Sequence, residues 1–480
     1  MNTTRYDVIV VGSGAGGSAV AYRLTQAGKR VLLLEKGGYL PRDGSTLDVK
    51  TVFTQGRFTN KVEWADANGK AFVPGEFYNV GGKTKWYGAA LLRMVPHEFG
   101  ADPDFQCREW PIGYSDLARY YAQAEKLLHV NHFEHEPELS ALIETICQAD
   151  EGWEPKTLPL GLKRAILDDP EEAKHFDGFA SACGYKSDAE WNLLDPIRAA
   201  ENFTLVTGAE VVSLQATPED PLAITGVTCR DGSAYVADSV VLAAGAMSTP
   251  RILQEYFLAT ETAAALPCAQ NVGAYFKLHV NSALLAFSPF RKHDVLRKTA
   301  IFFNERFPHS TVQCLGWMDG DMLGAQLPAA VPKFVTRAAG ERAYGFFVTT
   351  EDGSHADNRI ISAGPDGRPT MDYDLSRVPA SAAEHDAVVR AFSHTLLHAK
   401  MVGVDRHMGL AGTAHALGST VAGTSPQTSV VDRQGKVHGM QNVYIADGGV
   451  LPRSSRVNPA FTIYAWGLRL GDHLANGEHR

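Results

Sequence analysis

The sequence predicts an α/β fold, with a largely parallel sheet built from β–α–β units and a separate antiparallel sheet later in the chain. Three observations carry that expectation. Residues 6–11 and 30–34 are short apolar runs, rich in branched residues, separated by a glycine-rich turn and a helix-compatible segment. Residues 240–246 form another apolar run that ends on glycine and can rejoin the sheet begun at 6–11. Residues 280–370 are richer in alternating apolar and aromatic positions, such as YGFFVT at 344–349 and RII at 359–361, and suit a sheet of their own.

The first run is followed at once by GSGAGG at 12–17, a helix-compatible stretch over 18–27 closed by Gly28, and a second strand ending in Glu35. Gly12 permits a tight turn, and Gly14 lets a pyrophosphate approach the backbone. Gly17 allows close helix–strand packing, and Glu35 can accept from ribose hydroxyls. A glycine triplet alone says little. Strand, turn, helix, strand and acid in this order identify a Rossmann-type dinucleotide-binding unit. Lys36 and two glycines after the acid resemble the ending common in FAD enzymes, so FAD is expected in preference to NAD.

Residues 39–80 hold no regular pattern, and VGGKTKWYG at 80–88 is a second glycine-rich loop, either passing a flat ring or making an ordinary turn. Over 110–130 the stripe Leu117, Tyr120, Tyr121, Ala124, Leu127 and Leu128 predicts an amphipathic helix with Ser115 as N-cap. Residues 131–175 are acidic, proline-containing and irregular, and read as cover for an entrance. Residues 202–246 return to strands, with turns such as Asp231-Gly232 suggesting antiparallel pairing, and 381–403 read as helix. His415 precedes a loop rich in Gly, Ser and Thr and a VVD strand at 430–432; alone, such a histidine is a packing residue as readily as a base. Residues 442–474 read as strand, loop and buried helix. Asn458 is the expected N-cap, with Pro459 at the first helical position. That helix start, with the Asn458 amide beside it, suits a group that becomes anionic.

Composition narrows the function. A formal net charge of −9 argues against nucleic-acid binding. No apolar run approaches the ~18 residues of a membrane span. The six cysteines form no CxxC pair, so free thiols and no metal site are expected. Strand-like residues begin at Tyr6, which leaves no room for a signal peptide, and a cytoplasmic protein is expected.

Several longer stretches resemble the glucose–methanol–choline (GMC) oxidoreductases: GGKTKWYGAALLR at 81–93, WPIGYSDLARYY at 110–121 and LAAGAMSTPRIL at 242–253. HALGSTVAG at 415–423, VVDRQGKVHG at 430–439 and the NVYIADGGVLP and NPAFTI segments of 442–463 are more specific still. The resemblance implies a Rossmann-type FAD-binding domain from residues 1–100, 200–280 and 410–480, interleaved with an α+β substrate-binding domain from 101–199 and 281–409. It implies His415 as the catalytic base and Asn458 as hydrogen-bond donor to the developing alkoxide, with hydride passing from the alcohol carbon to flavin N5. The implied cofactor contacts are Gly12, Gly14, Ala15, Gly17, Glu35, Lys36, Gly82, Thr84, Val211, Ala244, Gly245, Asp447, Gly448, Asn458, Pro459 and Thr462. Some members tether FAD to a histidine in the loop matching 81–88; here Lys85 stands nearest that position, so FAD is expected to be non-covalent. Ser419 and Ala422-Gly423 depart from the family pattern after the histidine. The expected substrate is a small alcohol, with sugars, glycosides or polyols favoured, and the acceptor is oxygen, a quinone or a redox protein. The rival readings are an FAD-containing lyase and the catalytic subunit of a cytochrome-linked dehydrogenase.

Overall fold

The structure, a computed structural model, describes residues 4–288, 290, 296–318, 320–326, 333–340, 342–364 and 366–477. β1 (Arg5–Val11) and β2 (Val31–Glu35) lie parallel and are joined by α1 (Ala15–Gln26). Being apolar on both faces, they sit inside a seven-stranded sheet. Its order is β8 (Phe203–Thr207), β2, β1, β11 (Ala234–Leu242), β10 (Asp220–Cys229), β9 (Val211–Thr217), and β19 (Val443–Ile445) also pairs with β11. β11 runs parallel to β1, as the run at 240–246 predicts, and parallel to β19. β9, β10 and β11 are antiparallel, with Gly232 at φ +87° in one turn. β8, however, is parallel to β2, because the chain reaches that sheet edge by a long crossover rather than a hairpin.

α9 (Ala460–Ala475) packs on α1 at glycine contacts: a Cβ on Gly467 would lie 2.5 Å from the Gly16 carbonyl. α2 (Tyr114–Leu127) lies against α9, with the Tyr121 and Phe461 rings 5.1 Å apart, and α5 (Thr249–Ala259) follows β11. Gly113 is the N-cap of α2, and its N–H donates to Asp116 Oδ2, so Ser115 lies inside the helix and is not its cap.

The second large sheet is antiparallel. Its order is β18 (Val402–His407), β12 (Val280–Phe287), β15 (Ala343–Thr350), β14 (Ser310–Cys314), β13 (Ala300–Phe303), β6 (Glu154–Thr157). Strand alternation divides its residues between two faces. Leu284, Phe346, Val312 and Phe302 form a core with α3 (Pro137–Ala149) and α8 (Pro379–His398). Ala283, Phe347 and Gln313 lie side by side in register on the other face.

Several expectations are corrected. Residues 131–175 contain α3, β6 and α4 (Pro170–Lys174), as well as β7 (Leu160–Gly161), which pairs with β5 (Val130–Asn131). Leu139, Leu142, Ile143 and Ile146 give α3 a buried face that the surrounding acids mask in the sequence. The helix at 381–403 ends at His398, where Lys400 at φ +60° turns the chain into β18. β16 (Arg359–Ile361) lies outside the antiparallel sheet; it pairs with β17 (Thr370–Asp372), which joins β3 (Trp64–Asp66) and β4 (Ala71–Phe72), so 39–80 is not wholly irregular. Residues 430–432 make only isolated bridges and no strand. α6 (Gly320–Gln326) packs on α7 (Lys333–Gly340). No helix among the described residues is long and apolar enough to cross a membrane.

Candidate active site

A single cleft of roughly 1050 Å³ runs from the end of β2 to the start of α9. Its first half is made of glycine-rich turns. Gly12 sits at φ +101°, and a Cβ there would lie 2.4 Å from the Ala243 carbonyl, so only glycine fits. A Cβ on Gly14 would meet nothing within 4 Å, which leaves open space over the N-terminus of α1. Gly82, at φ +56°, brings the second glycine loop against Gly14.

Ser13 ties these pieces together. Its N–H and Oγ donate to Glu35 Oε2 at 3.0 and 2.6 Å, and its Oγ accepts from Gly81 N–H at 3.0 Å. Gly37 N–H donates to Glu35 Oε1 at 2.8 Å. Burial pushes the Glu35 carboxyl up, and these hydrogen bonds pull it back. Asp447 performs a similar task on the far wall. It accepts from Gly245 N–H, Thr249 Oγ1 and Gly449 N–H at 2.6–2.9 Å, which holds Ala244 and Gly245 beside Gly448.

Of the contacts implied by sequence, Gly12, Gly14, Ala15, Glu35, Lys36, Gly82, Thr84, Val211, Ala244, Gly245, Asp447, Gly448, Asn458 and Pro459 line the cleft. Gly17 does not; a Cβ there would lie 2.0 Å from the Gly12 carbonyl, so its place is in helix–strand packing. Thr462 does not either, since its hydroxyl is buried against Tyr121 Oη at 2.7 Å. Lys85 is turned away into ion pairs with Asp188 and Glu190 at 3.0 and 2.7 Å. The cleft thus fits FAD: an open glycine cradle at a helix N-terminus for the pyrophosphate, and an acid for the ribose. Its volume is at the top of the roughly 300–1,000 Å³ range of small-molecule sites, enough for a cofactor and a small substrate together.

The second half centres on His415, at the end of a single 3₁₀ turn, Thr413–His415. Its Nδ1 is 2.7 Å from His279 Nδ1, and its Nε2 is 3.4 Å from Asn458 Nδ2. His279 Nε2 is 2.8 Å from the Ser455 carbonyl and 3.1 Å from that of Ser454. Carbonyls only accept, so His279 Nε2 carries the proton and its Nδ1 is bare. His415 Nδ1 must then be the donor, which leaves His415 Nε2 bare and facing the Asn458 amide. Burial, then His279, Lys83 and Lys298, hold His415 well below the ordinary histidine range.

Asn458 is not the helix cap. Its Oδ1 accepts from Gln313 Nε2 at 2.5 Å, and α9 begins at Ala460 with no side-chain cap. The pull toward β14 fixes the amide so that its NH₂ group faces His415. The preceding turn is anchored as well. Glu351 binds Arg453 in bidentate fashion at 2.7–2.9 Å and accepts from Ser455 N–H, and Ser455 Oγ donates to Glu98 at 2.6 Å. Arg453 and His309 hold the Glu351 carboxyl down at about 2 despite its burial.

Ser13, His279 and Gln313 escape sequence reasoning. Gln313 is the only one with a signal, a polar residue between the apolar residues of β14.

Residues 355–467 match the GMC oxidoreductase family, and residues 10–46 match the NAD(P)-binding Rossmann-like domains. Paromamine 6'-oxidase of Streptomyces fradiae is 28% identical, with 98% of this chain and 91% of that protein aligned. The 6'''-hydroxyparomomycin C oxidase of Streptomyces lividus is 27% identical, over 98% and 92%. Among solved structures, formate oxidase of Aspergillus oryzae superposes with a TM-score of 0.73 over 100% of this chain and 99% of that one; at 15% identity it bears on the fold alone. Fingerprint, cleft and family match agree: the chain is similar to the GMC oxidoreductases, with FAD as its non-covalent cofactor.

Proposed function

We propose that the protein oxidises an alcohol group of a sugar, glycoside or polyol to a carbonyl, with His415 as base and Asn458 as hydrogen-bond donor. The observation that carries this reading is the protonation pattern of the site. His415 offers a bare Nε2 and cannot exchange tautomers without losing its bond to His279. Asn458 offers an N–H beside it, oriented by Gln313. A substrate hydroxyl placed between them donates to His415 and accepts from Asn458. As the proton moves to Nε2, the Asn458 amide stabilises the charge left on oxygen. FAD bound in the cleft supplies the two-electron acceptor for the hydride of the alcohol carbon.

Ala283, Phe347 and Leu315 line this end with apolar surface, which keeps water from the transferring proton. The preference for sugars and glycosides draws on the two oxidases named above, whose names give paromamine and 6'''-hydroxyparomomycin C as what they oxidise. Residues 1–100, 200–280 and 410–480 make the cofactor-binding part, while the β12–β15–β14 face, from within 281–409, covers the substrate end. The electrons leave to oxygen, a quinone or a redox protein. Anaerobic addition of sugars, glycosides and polyols to the yellow enzyme tests the reading: at least one class bleaches the flavin and yields a carbonyl product. Flavin that stays oxidised with every one of them contradicts it.

A further inference from the structure

We infer that Asp177 and Lys298 form a second contact point for substrate, one that takes two neighbouring hydroxyls of a neutral sugar or polyol. The inference rests on the alcohol-oxidising reading above. Asp177 comes from the loop after α4 and Lys298 from the segment entering β13, and both line the cleft that holds His415. Lys298 Nζ bonds Asp177 Oδ2 at 2.7 Å, and Gly316 N–H donates to the same oxygen at 3.0 Å. The other carboxylate oxygen, Oδ1, has no hydrogen-bond partner among the described residues. Lys298, with three N–H groups, has only Asp177 among the described residues.

This is an unusual economy for a nearly buried pair, whose side chains are 7% and 16% exposed. Removing two charges from water is costly, and their mutual attraction offsets it only when the remaining lone pairs and protons also find partners. Here those atoms are left open at the cleft wall. Gly88 keeps them uncovered: a Cβ at that position would lie 2.1 Å from Asp177 Oδ1 and 2.3 Å from Lys298 Nζ. The pair is also within electrostatic reach of the base, since Lys298 is one of the cations that hold His415 low.

An acceptor oxygen beside an ammonium group matches a vicinal diol. One hydroxyl donates to Asp177 Oδ1 and its neighbour accepts from Lys298 Nζ, while the reacting hydroxyl sits at His415 and Asn458. A simple alcohol has nothing to offer the pair. A ligand with adjacent hydroxyls gains two charge-assisted hydrogen bonds and leaves fewer buried polar atoms unmatched.

The test is anaerobic flavin bleaching with matched alcohols: glycerol against propanol, and methyl glucoside against cyclohexylmethanol. It is run on the wild type, on Asp177→Asn and on the double variant Asp177→Asn/Lys298→Met. The double variant removes both charges together, so that no lone charge is left buried, and rates are expressed per bound FAD. The wild type is expected to favour the hydroxylated member of each pair. Both variants should lose about tenfold or more of that preference, the scale of a hydrogen bond to a charged group. A preference unchanged in FAD-loaded variants overturns the subsite and leaves the alcohol-oxidising reading standing. Wild-type flavin that none of the alcohols bleaches overturns that reading and the subsite with it.

Discussion

The two ends of the cleft are built on different principles. At the cofactor end, the cradle itself is local: Gly12, Ser13, Gly14, Glu35 and Gly37 lie in or just after a single β–α–β unit, and Gly81 and Asp447 brace it from farther along the chain. At the substrate end, each group is set by a partner far along the chain. His415 is oriented by His279, Asn458 by Gln313, and the Ser455 turn by Glu98 and Glu351. The first end is a backbone shape, which tolerates change in most side chains that are not glycine. The second is a chain of hydrogen bonds, in which one lost partner leaves another group buried and unpaired. Substitutions at the substrate end should therefore alter chemistry well before they alter cofactor retention.

The largest expected effect is at the base. His415→Ala should slow flavin reduction by about 10²–10⁴-fold while FAD stays bound, since the residue acts on a proton and holds no part of the cradle. Stopped-flow bleaching beside the visible spectrum checks both halves. Rapid bleaching by this variant would place the base elsewhere.

Asn458→Asp comes next. An aspartate oxygen can still accept from Gln313, so the fold should melt near the wild-type temperature. An ionised aspartate cannot donate to an alkoxide, and reduction should fall by roughly 10²-fold. Because Asn458 is bound to β14 and not to the helix N-terminus, Asn458→Ala should carry no N-cap penalty; a melt with a large loss would restore that role.

His279 gives a smaller and more discriminating effect. His279→Leu removes the acceptor from His415 Nδ1 and frees the imidazole to change tautomer, with an expected loss of about 10–100-fold. His279→Gln can accept from His415 and donate to the Ser455 carbonyl, and should recover most of that rate. Equal impairment of the two variants would reduce His279 to a packing residue.

The smallest effect is on stability in mild acid. Burial lowers the pKa of His279, His385 and His415, that of His385 to about 3. Below about pH 6.5 the unfolded chain binds protons that these residues refuse when folded, so stability falls as pH falls through that value, by roughly 1.4 kcal/mol per residue per pH unit. His309, raised by its bond to Glu351, and Asp352, raised to about 7 by burial, act in the opposite sense: the His309 contribution is present below pH 6.5 and fades as pH rises through its folded pKa, and that of Asp352 grows as pH falls through about 7. Thermal melts between pH 5 and 8 should show a net decline toward acid.

The contrast between the ends also explains what could be read from sequence. The first sheet, the cradle and the location of His415 and Asn458 were legible, because local spacing or family motifs carry them. The N-cap reading of Asn458 failed because a local preference lost to a partner 145 positions away. His279 was invisible, since a histidine at the start of an apolar strand carries no mark of a second histidine 136 positions on. α3 was missed because its apolar stripe is spaced among acids.

The central claim is that His415 meets the alcohol as a neutral base with a bare Nε2. The pH dependence of wild-type anaerobic flavin reduction tests it most directly. With the His415 pKa held below the ordinary histidine value of about 6.5, the rate constant should be level from there upward and decline only in acid. A rate that climbs steadily between about pH 7 and 9 would mean that His415 is protonated in the resting enzyme, and would contradict the account.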